Sequence, residues 1–331
     1  MTSRAVRSRK RRLEALKNWK KWLSTALFAV MIALLGWYLY ENRADLAQLL
    51  TFSWQTVALI LALALGACTM NAVYHKMILD TYHIDLSLVD WMGVVFVSNA
   101  MSLVLPMRAD LLFTAAYYRR TKGFAYAKSA SVAAGNVVFG VMFALLQLFV
   151  ALLCTGLIEG QWPAVLWLLW GGMSAAVGVF LVIARWFENR MPAFLRKYRI
   201  VVNIVSGFNA LLGNRRLLLR LLGCLTLINM LHLFLYMACF RGIGMQVTVY
   251  QALFYNSVSR LVNLVAIVPG NIGIAQLVMG VAGSLMGDVF QNGVMVSLIQ
   301  SISLVIVYIA VGGAFACPVW KRWNKAEGLK K

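Results

Sequence analysis

The chain has 331 residues, of which 62% are hydrophobic and 13% charged, and its mean hydropathy is +0.77. Soluble domains carry about a quarter of charged residues, so this composition excludes a water-soluble globular protein and puts nearly the whole chain in a membrane. The formal charge of +20 comes from 31 Lys and Arg against 11 Asp and Glu; its placement beside an apolar span argues for an anionic membrane surface over nucleic acid.

In chain order, the tail 1–21 ends in "SRAVRSRKRRLEALKNWKK", with nine basic residues and one acid directly before the first apolar run. That is the mark of a segment held on the cytoplasmic, anionic leaflet. Trp22–Tyr40 is too long for a signal-peptide core and has no small-residue cleavage site, so it reads as a retained span. Further full spans are predicted over Trp54–Leu79, Ala130–Thr155, Ala164–Ala184, Leu217–Phe240 and Val294–Cys317. Two apolar segments between them are broken, at Pro106 and at Pro269. The second arm of the first, Leu111–Tyr118, rises about 12 Å at 1.5 Å per residue, against the ~30 Å of a hydrocarbon core. It is too short to cross.

The positive-inside rule then orients the chain. With the N-terminus inside and both broken segments returning to their side of entry, 27 of the 31 basic residues are cytoplasmic. Arg43 and Arg241 lie outside, and Arg108 and Arg260 fall within the broken segments. Letting the first segment cross would put the Arg119–Lys128 cluster outside, which the rule disfavours. Both chain ends are therefore predicted cytoplasmic.

Span, broken hairpin and span occur at 54–155 and again at 217–317, with Pro106 and Pro269 in corresponding places. The predicted fold is an all-α polytopic membrane domain over 22–320, with about six full transmembrane helices plus two re-entrant hairpins in an inverted repeat, a plan that recurs in transporters. Two plain helix pairs with tight Pro/Gly turns fit the same residues. Between the repeats, the linker 186–216 sets Phe194, Tyr198, Val201, Val205, Phe208 and Leu212 at three- and four-residue spacing among basic residues. It reads as an amphipathic helix on the inner leaflet or as a simple connector. A second basic tail, 321–331, follows the last span.

Backbone broken at membrane depth must be buried in protein or line a watery cavity. Pro106 and Pro269 withdraw donors, while Gly270 and Gly273 let the chain turn and approach closely. Asn271 offers donors and an acceptor, and a helix N-terminus freed beyond the break suits an anionic group. Arg108 and Asp110 stand at the tip of the first hairpin, where ionisable side chains are costly and face the bundle interior. Either Arg108 binds a lipid phosphate, with Asp110 positioning it or coupling a proton, or the two form an ion pair that pins the hairpin. Arg260 and Asn263 are their counterparts on the second hairpin, with snorkelling to the outer surface as the other reading of Arg260. Asn99 and Gln276 join the headgroup-binding candidates; they sit in or near spans with Asn71, Ser98, Asn136, Gln147, Asn229, Asn256 and Gln300. Most such groups serve as interhelical hydrogen bonds, and a minority line a pathway. Paired carboxylates, a Ser/His/Asp set and a phosphate-cradling loop are all missing, so no catalytic residue is named and the chain is not expected to be an enzyme. Five cysteines in apolar runs without CxxC and three scattered histidines give no metal site, and no cofactor is expected.

"SNAMSLVLPMRADLLFTAAYYRRTKGFAYAKSASVAAGNVV" resembles the first signature of the flippase-like transmembrane domain of lysylphosphatidylglycerol synthases. There an Asn, an apolar run and Pro-x-Arg-x-Gly-Glu precede a basic Arg-Arg-x-x-Gly turn. "VPGNIGIAQLVMG" is similar to the second signature, Pro-Gly-x-x-Gly-x-x-Glu. The resemblance spans roughly residues 20–320 and identifies a divergent member: Asp110 stands in place of Gly, Leu111 in place of Glu, and Gln276 in place of the second Glu. It implies a bacterial inner-membrane protein that moves or binds an amphiphile, such as an anionic phospholipid or a polyprenyl-linked precursor. The aminoacyl-transferase domain that follows this region in the synthases has no place in the chain, so that activity is not expected. The alternative is a non-transporting accessory or regulator of a membrane glycosyltransferase or lipid-synthesis enzyme.

Overall fold

The computed structural model describes residues 52–103, 105, 108–190, 215–264, 269–271 and 273–328. The tail 1–21, the span Trp22–Tyr40, Pro106, residues 191–214 of the linker and the last three residues lie outside these. Among the described residues all regular structure is helical, and five helices are long and apolar enough to cross a membrane.

Helix α1 (Trp54–Asp80) starts where Ser53 Oγ accepts from the Thr56 amide at 3.2 Å. This satisfies one of the first-turn donors that a helix cannot pair internally. A π-helical turn (Val89–Gly93) leads into the short α2 (Val94–Ser102), and after the first break α3 runs over Ala109–Lys122. Gly123, left-handed at φ 69°, ends α3 and admits the long α4 (Tyr126–Glu159). Among the described residues helix α5 (Ala164–Arg190) packs chiefly on α4, with Trp170 Nε1 donating to the Leu145 carbonyl at 2.9 Å. Its outer face, with Leu168, Val179, Phe180 and Val182, is exposed, as suits a surface meeting lipid. The second half consists of α6 (Arg215–Gly242), α7 (Val249–Leu264), a 3-10 turn (Pro269–Asn271), α8 (Ile274–Leu285) and α9 (Phe290–Gly328).

Five of the six predicted spans are found as helices that extend beyond the predicted bounds, the sixth, Trp22–Tyr40, lying outside the described residues. The short arm of the first break extends to 14 residues, which rise about 21 Å. Helices α1 and α6 pack on each other, α4 packs on α7, and α9 packs on α2 and α8. Two apolar clusters fill the bundle. One centres on Phe96, Tyr236, Phe240 and Phe254, the other on Tyr74, Ile78, Tyr117, Tyr118 and Leu221.

The turns sort to two ends. At one end Lys122 Nζ donates to the Asp85 carbonyl at 2.6 Å, so the segment holding the first break starts and finishes there, next to the last turns of α9. At the other end Tyr250 Oη donates to Glu159 at 2.5 Å and Tyr255 Oη to Asp288 at 2.6 Å, so the segment holding the second break starts and finishes at the opposite end.

Helix α9 comes close to both broken segments through glycine. A Cβ on Gly312 would stand 3.0 Å from the Phe96 carbonyl of α2, and one on Gly293 would run into the Met279 carbonyl of α8. Backbone cannot move aside as a side chain tip can. Gly293→Val is therefore expected to cost about 3 kcal/mol or to prevent folding, at the high end of what overpacking costs. Gly313→Ala, where the added atom meets open space, should leave the thermal midpoint in detergent within a degree or two of wild type. Equal midpoints for the two variants would mean that α8 and α9 do not approach this closely.

Candidate functional site: a polar cavity between two chain breaks

Both breaks put residues into the left-handed region that L side chains rarely adopt. Arg108 has φ 56° and Asn271 has φ 53°, beside Gly270 at φ 61°. Such strain costs on the order of 1–3 kcal/mol per non-glycine residue and collects at functional sites. At the second break the cost is offset locally. Asn271 Nδ2 donates to the Val262 carbonyl and to Asn263 Oδ1, both at 3.1 Å, tying the turn back to α7. Gln276 Oε1 accepts from the Gly273 amide at 2.6 Å, and its Nε2 donates to Ser301 Oγ of α9 at 3.1 Å.

The two breaks face one cavity of about 330 Å³. It lies at mid-height of the long helices, where α1 contributes Cys68 and Asn71, α6 contributes Ile228 and His232, and α9 contributes Gln300, Ser301 and Tyr308. Of the seven headgroup candidates, Asn99, Arg108, Asp110, Arg260, Asn263 and Asn271 line it. Gln276 is buried behind the wall and braces the second break. Gly270 is part of the lining, and Gly273 supplies the amide that Gln276 caps. A second cavity of about 160 Å³ shares Asn71, Asn99, Arg108 and Asp110 with the first and adds His75, Ser129 and Asn136.

The charges are unequal. Arg108 and Asp110 pair loosely, with Nε–Oδ1 and Nη2–Oδ2 both at 3.4 Å, and the Oδ1 contact lacks hydrogen-bond geometry. Arg260 turns inward, not toward the outer surface. Its Nε is buried without a hydrogen-bond partner, and among the described residues no carboxylate pairs with it. Among the described residues two guanidinium groups thus share the cavity with one carboxylate. An unpaired cation in a low-dielectric wall attracts an anion strongly, because little solvent screens it.

A second charged centre, absent from the sequence-derived candidates, sits at the basic end. Asp90, 1% exposed, accepts from the Ser87 amide at 3.1 Å, Ser87 Oγ at 2.9 Å and Tyr117 Oη at 2.9 Å. Lys122 and Arg322 each lie 3.0 Å from Oδ2. Burial alone would raise this carboxyl, but Lys122, Tyr117 and Ser87 outweigh it and hold the group down at about 2. The clasp joins both arms of the first broken segment to the end of α9. Its signal in the sequence was a lone acid opening an apolar arm, and its α9 partner lies 232 residues away.

The sequence model for the lysylphosphatidylglycerol synthase TM region matches residues 8–312. Neither a curated protein nor a solved structure gives a significant match. A match over nearly the whole chain, together with the apolar helical bundle, establishes that this chain is an integral membrane protein belonging to the lysylphosphatidylglycerol synthase transmembrane-region family.

Proposed function

We propose that the central cavity binds the headgroup of an anionic lipid or lipid-linked precursor and carries it between the leaflets of a bacterial inner membrane. The observation that carries this reading is the convergence of both chain breaks on one cavity to which the described residues contribute two guanidinium groups and a single carboxylate. A lipid phosphate fits the unpaired Arg260, and the acyl chains can stay in the bilayer while the headgroup crosses in protein.

The packing supports two inverted repeats, α1–α4 and α6–α9. The last helix of each packs on the first arm of the other's broken segment, α4 on α7 and α9 on α2, as a pseudo-two-fold relation requires. Each broken segment begins and ends at one end of the bundle, at opposite ends for the two, which is the pattern of re-entrant hairpins. Among the described residues Arg241 is the one basic side chain at the end holding Glu159 and Asp288, so the opposite, basic end is assigned to the cytoplasm.

Purified protein reconstituted into liposomes should speed leaflet exchange of a headgroup-labelled anionic lipid at least about tenfold over protein-free vesicles; exchange between leaflets is otherwise slow because the polar headgroup must enter hydrocarbon. Binding without faster exchange would favour the accessory role over transport. Neither binding nor exchange of any anionic lipid would sink the proposal.

A further inference from the structure

His232 of α6 is part-buried and lines the main cavity together with Arg260 of α7 and Asp110 of α3. Its Nδ1 lies 2.9 Å from the Ile228 carbonyl one turn earlier. A carbonyl can only accept, so Nδ1 carries the hydrogen and Nε2 keeps the lone pair of the neutral ring. Among the described residues Nε2 has no hydrogen-bond partner, yet it is not sealed off and opens on the cavity. His75 on the neighbouring α1 differs, since its unpartnered Nε2 is fully enclosed.

Titratable groups face this nitrogen from each helix packed on α6. Arg260 of α7 lines the same wall, with Cys68 of α1 and Tyr308 of α9. Tyr74 of α1 and Tyr236 of α6 lie close enough to Arg260 to feel its charge; thiols and phenols are ordinarily neutral at physiological pH. Arg108 and Asp110, on the first broken segment, occupy each other as an ion pair. Without an anion, a proton on Nε2 would make a second cation beside Arg260 with no carboxylate of its own. An anion in the same space attracts that proton as it attracts Arg260, and little solvent screens either attraction. Reciprocity then requires each of the two, anion and proton, to strengthen binding of the other. Histidine is the side chain that ordinarily exchanges a proton near physiological pH.

We propose that His232 is a proton-binding site coupled to the anion site: the cavity takes up a proton from water at Nε2 as it takes up a phosphodiester anion, and releases the two together. This rests on the reading that the cavity takes an anionic headgroup, and the test separates the two. The proton offsets the headgroup's charge, so passage of the lipid is tied to a proton gradient. The probes are dioctanoyl phosphatidylglycerol and phosphatidylethanol, phosphodiesters whose single charge is constant over the range tested, with the purified full chain in detergent. Titration calorimetry in two buffers of different ionisation enthalpy should show uptake of about 0.5–1 proton per lipid bound. Affinity should rise about 10–100-fold from about pH 8 to about pH 6, the linkage that such an uptake requires. In His232→Gln, which keeps an amide but does not titrate, the uptake and the pH dependence should vanish; in Asp110→Asn both should persist. Binding by wild type without proton uptake overturns the coupling and leaves the anionic-headgroup reading standing, whether or not the variants fold. Absence of binding by both lipids overturns that reading as well. Uptake that persists in His232→Gln overturns the assignment to His232, and its loss in Asp110→Asn gives the proton to the carboxylate instead. Deacylated glycerophosphoglycerol binding as tightly, with the same uptake, supports the coupling but assigns it to a soluble phosphodiester, against the lipid.

Discussion

Asp90→Ala is expected to destabilise the folded protein by about 3–5 kcal/mol, the cost of breaking a buried ion pair from one side. The substitution removes the anion shared by Lys122 and Arg322 and the acceptor that Tyr117 and Ser87 use, so both arms of the first broken segment loosen from α9. Arg322→Ala should cost far less, about 1 kcal/mol or under, because its side chain is 43% exposed and Lys122 still neutralises the carboxylate. Thermal midpoints in detergent read both. The same centre gives a pH dependence with a defined sign. The carboxyl is held at about 2, below its ordinary 3.8, so its contribution is complete above about pH 4 and is lost as pH falls through 2. The midpoint of wild type should therefore drop between pH 4 and pH 2 by more than that of Asp90→Ala. Parallel curves for the two proteins would show that the clasp contributes nothing.

The two cavity arginines should behave oppositely. Arg260→Ala is expected to weaken anionic-lipid binding by about 2–5 kcal/mol, the loss on truncating one partner of a desolvated charge contact. It should leave the thermal midpoint unchanged or raised, since no carboxylate is stranded and the cost of burying a lone cation disappears. Arg108→Ala removes the partner of Asp110 and should lower stability by about 1–3 kcal/mol. That is less than at Asp90, because the pair is long and faces the cavity. Adding Asp110→Asn should restore most of it. Lipid titration and thermal unfolding on the same preparations separate the effects. A large stability loss in Arg260→Ala would make that residue a structural element and remove it from the binding site.

Membrane residence, the helical class and the approximate spans were legible in composition and apolar run length, because a bilayer demands about 20 apolar residues per crossing and internal pairing of every backbone polar group. The breaks were legible too: Pro269, Gly270 and Asn271 interrupt an apolar run in a way that a continuous helix cannot absorb. So were Arg108 and Arg260, since an ionisable side chain at depth is conspicuous in any sequence. Where those side chains point was settled by tertiary structure alone. Arg260 faces inward because α7 turns the face carrying Asn256 and Arg260 to α6 and the cavity, while the sequence left snorkelling nearly as open. Gln276 and Asn271 occupy the same break, yet Gln276 braces it from behind the wall while Asn271 stands in the lining and ties the turn back to α7; the difference lies in which neighbour, Ser301 or Val262, stands within reach. Asp90 went unnoticed for the same reason. A buried carboxylate is defined by what neutralises it, and Arg322 comes beside it only when α9 folds back across the bundle.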